Sequence, residues 1–231
     1  MTNLKKTAGM AALLNSLTLL VALSTFAALG SEGVESGVPA RELQFVNNQP
    51  IGFYIIYGSQ LILGFTTLVM VLNLHNTLNA FAPNLARYAT ALGLIGTGLY
   101  LSNGLIDLNA RPYLAHLYLT NPSQAETAYQ LIPAITPGLI NGASMTFGLW
   151  LIAATWALLK SQRWPLWFCY LGLATGIINT FSPVTLTLTY LAYILNIVCL
   201  ASLGTLILRG RFISAVAENA EHPMVSASTH A

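Results

Sequence analysis

Six apolar runs follow one another along this chain, at residues 8–30, 51–73, 87–107, 137–159, 165–182 and 184–208. Most reach the ~20 residues that carry a helix, rising about 1.5 Å per residue, across about 30 Å of hydrocarbon. The fifth run is short, and Pro183 separates it from the sixth. In lipid, a helix satisfies all its own backbone hydrogen bonds, and the alternating ~10-residue strands of a β-barrel are absent. The chain as a whole could not coat a water-facing surface. Charged residues make up only 7% and hydrophobic residues 55%, against about 25% charged in a soluble domain. The net charge of +2 gives no footprint for a nucleic acid. The sequence thus predicts an all-α membrane protein, with six transmembrane helices in one bundle over residues 1–210 and a flexible cytoplasmic tail over 211–231.

Lys5 and Lys6 ahead of the first run, and Ala27-Ala28-Leu29-Gly30-Ser31 at its end, imitate a secretory signal. Its apolar stretch of about 22 residues exceeds a signal's apolar region, so a retained helix is expected. Basic residues set the orientation. Lys5, Lys6, Arg87, Lys160, Arg163, Arg209 and Arg211 fall on one side, and only Arg41 and Arg111 on the other. The positive-inside rule then puts both termini in the cytoplasm, with Trp156, Trp164 and Trp167 as an inner aromatic belt. The first outer loop, 31–50, carries Glu32, Glu35 and Glu42 among the breakers Gly33, Gly37 and Pro39. The second, 108–136, carries Arg111, His116 and Glu126. Within it the capping box Ser123-Gln124-Ala125-Glu126 starts a short interfacial helix, with Tyr129, Leu131 and Ile132 towards the membrane surface.

A run of local motifs adds a family expectation. Phe147-Gly148-Leu149-Trp150-Leu151-Ile152 is followed by Leu158-Leu159-Lys160-Ser161, then Pro165-Leu166-Trp167, then Tyr170-Leu171-Gly172-Leu173-Ala174-Thr175-Gly176. This order resembles the bacterial six-helix membrane family of domain of unknown function 4386. The likeness is good over the C-terminal half and loose over the second and third helices. It departs at Asn179-Thr180-Phe181-Ser182-Pro183. It implies a bacterial inner-membrane location and a fold, but no catalytic residue.

Each run holds one carboxamide in its interior: Asn15, Gln60, Asn103, Asn141, Asn179 and Asn196, with Asn73 and Asn76 at the inner boundary. Asn103, Asn141 and Asn179 sit roughly 6 Å below the outer ends of their helices, and Gln60 and Asn196 about 14–15 Å down. Asn15 belongs to the inner half. Helical spacing aligns Gly96, Tyr100, Asn103 and Asp107 on one face, and Pro137, Asn141, Ser144 and Gly148 on another. Gly172, Gly176 and Asn179 align likewise, as do Thr185, Thr189, Ala192 and Asn196, and Tyr57, Gln60 and Gly64. An amide facing hydrocarbon loses its hydrogen bonds, so these stripes are expected to face one another. Two readings follow. In one the amides and the Gly138-xxx-Gly142 and Gly172-xxx-Gly176 pairs bind helix to helix. In the other, Gln60, Tyr100, Asn103, Asp107, Asn141, Ser144, Asn179 and Asn196 line an outward-facing polar cavity, with Asp107 at its rim.

Known membrane chemistries fit poorly. Gly142-Ala143-Ser144 matches the Gly-x-Ser of an intramembrane serine protease, but the sixth helix offers Tyr190, Tyr193 and Asn196 where a histidine base is needed. Ser144 reads as a small packing residue. His75 and His116 lie at opposite boundaries and His222 and His230 in the tail, so no metal or haem ligand set converges. No ionisable residue sits in mid-membrane for a pump. Cys169 and Cys199 lie in apolar runs and read as small buried residues. The expectation is therefore a non-enzymatic structural, accessory or sensory membrane module without a cofactor. Its partners are the lipid bilayer and, through its small-residue faces, a membrane protein or a second copy. The alternative is a carrier or binder of a neutral or amphiphilic small molecule, a lipid or small apolar ligand, because uncharged amides offer donors and acceptors without charge.

Overall fold

Prolines decide where the helices begin. The computed structural model describes residues 2–29 and 37–209. Its helices are α1 (Thr2–Leu29), α2 (Pro39–Asn48), α3 (Pro50–Asn79), α4 (Pro83–Thr120), α5 (Pro122–Tyr129), α6 (Leu131–Ser161), α7 (Leu166–Phe181) and α8 (Leu186–Leu208), with a 3-10 turn at Ser182–Val184 before α8. Pro39, Pro50, Pro83 and Pro122 each open a helix, where the fixed φ suits the first turn and the missing N–H costs nothing. No strand occurs among the described residues.

Five segments are long and apolar enough to cross a membrane: Lys6–Leu29, Pro50–Asn79, Pro83–Thr120, Pro122–Ser161 and Leu186–Leu208. The expected fifth crossing is the exception. α7 has 16 residues, about 24 Å of rise, because the chain turns at Pro183. It still fills its place in the bundle. α1, α3, α4, α6, α7 and α8 pack side by side in a closed ring, α8 returning to α1.

The described parts of the two connections expected as outer loops are largely helical. α4 runs on through Pro112 to Thr120, some 57 Å by its rise, well beyond one hydrocarbon layer. Pro112 forfeits one backbone bond, but Leu114 and Ala115 bury themselves one turn later and hold the helix together. The expected capping box is displaced: Asn121 caps α5, its side chain accepting from the Gln124 N–H at 3.3 Å. Residues 39–48, read as loop, form α2. Glu32, Glu35 and Gly33, the small-residue end of the signal-like segment beyond Leu29, and the expected flexible tail lie outside the described residues.

Two apolar clusters result. The larger fills the ring, around Met70, Trp150, Leu158, Phe168 and Leu200. The smaller lies under a cap formed by α2, α5 and the end of α4, around Leu43, Phe53, Tyr57, Leu114 and Tyr129. Trp164, expected in the aromatic belt, packs into the larger cluster against Phe168, while Trp156 and Trp167 stay exposed. Most large exposed side chains are apolar, among them Phe65, Ile95 and Ile194, as a lipid-facing surface requires. Threonine hydroxyls inside the helices close on their own backbone: Thr97 on the Gly93 carbonyl, Thr155 on Leu151 and Thr175 on Leu171.

Glycines set the closest helix approach. A Cβ on Gly148 would stand 2.6 Å from the Gly176 carbonyl oxygen, and one on Gly176 would stand 2.8 Å from that of Gly148. Gly172 faces Thr155 across the same seam. Gly138, by contrast, looks into open space, so of the Gly138-xxx-Gly142 pair only Gly142 meets a neighbouring helix, at Leu99 on α4. Gly176→Ala is expected to destabilise the bundle by ~1–3 kcal/mol through overpacking, whereas Gly138→Ala leaves it unchanged. Thermal unfolding of the two variants in mild detergent checks the contrast.

Candidate functional site

The amides divide into two groups. One closes helix pairs. Asn15 on α1 donates to Thr66 Oγ1 at 2.8 Å, Thr67 Oγ1 at 3.1 Å and the Leu63 carbonyl at 3.3 Å, all on α3. Asn179 on α7 and Asn196 on α8 exchange reciprocal bonds of 3.0 and 2.9 Å. Such pairs leave little for a ligand. Tyr100 faces Ser144 across the α4–α6 seam. Asn141 departs from its expected place: it is exposed on the outside of the bundle. The face that α6 buries runs through Ala143, Phe147, Trp150 and Ala154, and Asn141 falls off that stripe.

The second group forms a continuous polar chain at the cap end. Asn103, Asp107 and Arg111 recur every fourth residue on α4, so their side chains stack along one face. Asn103 Nδ2 donates both to Gln60 Oε1 on α3 and, at 3.1 Å, to Asp107 Oδ2. Arg111 Nε donates to Asp107 Oδ1 at 2.7 Å. Arg111 Nη1 donates to Glu42 Oε2 on α2 at 3.1 Å and also to the Tyr129 hydroxyl on α5. That hydroxyl in turn donates to Glu42 Oε2. Glu42 Oε1 accepts from the Gly37 N–H at 2.9 Å. The guanidinium lies 4.6 Å from the Tyr57 ring centroid and 5.4 Å from that of Tyr129, where the ring faces attract a cation. All three charged side chains are buried, Asp107 to 2% exposure. The expected rim carboxylate is therefore an interior ion-pair partner.

Glu42, Arg111 and Tyr129 fall in the expected loops and not on the candidate cavity's stripes. Extending the Gly96-Tyr100-Asn103-Asp107 stripe by one more turn reaches Arg111, but the apolar run ends at Asp107 and the sequence beyond it reads as loop. Glu42 and Tyr129 meet Arg111 only through tertiary packing and carry no sequence signal.

A cavity of about 170 Å³ opens beneath this chain, lined by Phe26, Tyr57, Gln60, Tyr100, Thr189 and Tyr190 with aliphatic neighbours from α1, α3 and α8. Cavities near 150 Å³ already admit a benzene-sized group. A second space of about 20 Å³ between Asn15, Thr67, Tyr100 and Asn196 has room for a water. Of the sequence candidates, Gln60 and Tyr100 thus line the main cavity and Asn196 borders the small one. Asn103 and Asp107 stand behind Gln60, Ser144 stands against Tyr100, and Asn179 is taken up by Asn196. Gln60 joins the cavity to the ionic cap. Asn103 Oδ1 is buried and has no hydrogen-bond partner among the described residues. The lining offers neutral donors and acceptors at one end and hydrocarbon at the other.

Arg111→Gln strands two buried carboxylates and is expected to cost about 3–5 kcal/mol. Asn141→Leu should stay within ~0.5 kcal/mol of the parent, as a substitution outside the packed interior does. Melting of both variants in detergent reads the difference; equal losses would contradict this assignment of faces.

No curated protein and no solved structure matches the chain. The family model described as domain of unknown function (DUF4386) matches residues 8–215, which runs from within α1 to beyond the end of α8. On that match, the chain belongs to the DUF4386 family.

Proposed function

We propose that this protein is a multi-pass membrane protein that binds a neutral amphiphilic small molecule in the cavity beneath its cap. The single observation that carries the reading is the composition of that cavity. Gln60, Tyr57 and Tyr100 present uncharged polar groups beside Leu19, Leu23 and Leu63, the arrangement that orients a polar head against an apolar tail. The amide pairs on the other seams serve as helix glue. A second reading, a structural or accessory module without a small ligand, draws support from the closed Asn179–Asn196 pair. The two differ in what a filled cavity does. Ala22→Trp, which occupies the cavity from α1, is expected to abolish binding of a fluorescent monoacylglycerol while the protein still elutes as a folded species. Gln60→Leu should weaken the same binding. If the parent protein fails to take up the probe, the accessory reading stands instead.

On this reading the ring crosses the bilayer six times, α7 included, with both termini in the cytoplasm of a bacterial inner membrane. The charge distribution supports it. Lys6, Arg87, Lys160, Arg163 and Arg209 belong to the ends of helices opposite the cap, and Arg41 and Arg111 to the cap. The three bonds of Asn15 into α3 support a retained first helix. Cys169 and Cys199 are fully buried, so introduced cysteines can be labelled without background. Tyr113→Cys is expected to react with an impermeant maleimide on intact cells, and Lys160→Cys only after lysis. The reverse pattern would invert the orientation.

A further inference from the structure

We infer that the end of the bundle opposite the cap holds a binding site for a phosphate-bearing anion, built around Arg163. This site is separate from the cavity and does not depend on the amphiphile reading.

Arg163 follows Gln162, which ends α6 in the left-handed conformation at φ 53°. Its guanidinium crosses to the turn between α3 and α4 and lies 5.1 Å from the Phe81 ring centroid. Stacking on the ring fixes the plane of the guanidinium, and a fixed fork is what recognises two oxygens of a phosphate at once. Its Nη1 is buried and has no hydrogen-bond partner among the described residues. A charged donor removed from water without an acceptor is costly, and none of the described residues relieves it. The acids among the described residues, Glu42, Asp107 and Glu126, all belong to the cap end. At Arg163's end the other charges are Lys6, Arg87, Lys160 and Arg209, every one basic. None of the described carboxylates can therefore serve as its counter-ion.

The surroundings favour a lipid headgroup over a free ion. Trp156 and Trp167 are exposed on either side of the α6–α7 turn, and Lys160 Nζ lies 5.8 Å from the Trp156 ring centroid. Exposed tryptophan with lysine marks the level at which headgroups sit, and basic recesses between helices at that level take anionic headgroups.

The test is a titration of the purified full-length protein in uncharged detergent, with melting temperature as the readout. Phosphatidylglycerol, phosphatidylcholine and inorganic phosphate are added separately, and the phosphatidylcholine shift is taken as the baseline for any lipid. Phosphatidylglycerol should raise the melting temperature above that baseline. For Arg163→Gln the titration midpoint should move to about tenfold higher lipid, the loss of one charged hydrogen bond. Arg41→Gln, exposed at the cap end, should keep the parent midpoint. A shift with inorganic phosphate alone would name the free ion as occupant. No shift above baseline, or an unchanged midpoint in Arg163→Gln, overturns the site. If Arg163→Gln does not fold, Arg163→Lys keeps the charge but loses the fork, and native mass spectrometry counts the phospholipid retained by it and by the parent. Equal retention refutes the proposal.

Discussion

A buried guanidinium organises the cap. Arg111 reaches from α4 to Glu42 on α2 and Tyr129 on α5 while anchored by Asp107 on its own helix. Without it, two carboxylates would sit in an apolar cluster with no cation. With it, two short helices that could not persist alone become fixed parts of the fold. α2 has 10 residues and α5 has 8, both below the ~12–15 residues at which an isolated helix becomes marginal. Their order is borrowed from this ion pair, from the Asn47 bond to the Ala115 carbonyl and from the Leu43–Tyr129 cluster. Buried ion pairs add little net stability against an apolar alternative. The gain here is geometric, a single docking position for the cap.

The polar residues of the ring obey the same rule at different distances. Asn15 and the Asn179–Asn196 pair are satisfied across one seam each and need nothing more. Gln60 and Asn103 are satisfied only as links in a longer chain that ends in charge. A ligand that engages Gln60 therefore touches a network in contact with the cap, whereas one near Asn196 would have to break a closed pair.

The long apolar helices were legible because lipid imposes one solution on an apolar run of sufficient length. The inward stripes on α3, α4, α7 and α8 were legible for the related reason that 3.6-residue spacing fixes a face. Two features escaped. Asn141 shares the spacing of its stripe but not its burial, because α6 packs on both α4 and α7 and turns its Ala143–Phe147–Trp150 edge inward. The cap escaped because its residues look like a polar loop: Pro112 and the charges of Glu42 and Arg111 argue locally against buried helix. Their mutual neutralisation is a tertiary event that no window of sequence contains. Trp164 misled in the opposite sense, since interfacial aromatics and core aromatics share one composition.

The shortness of α7 reaches beyond the protein. On the six-crossing reading, one wall of the ring is about 6 Å shorter than the hydrocarbon it meets. Such a mismatch draws the neighbouring leaflets together, at a modest elastic cost per ångström. The surrounding lipid is then thinner on the α7 flank than elsewhere, which gives an otherwise cylindrical bundle a preferred side. Molecules of this kind gain by placing those flanks together, or by gathering where the membrane is already thin.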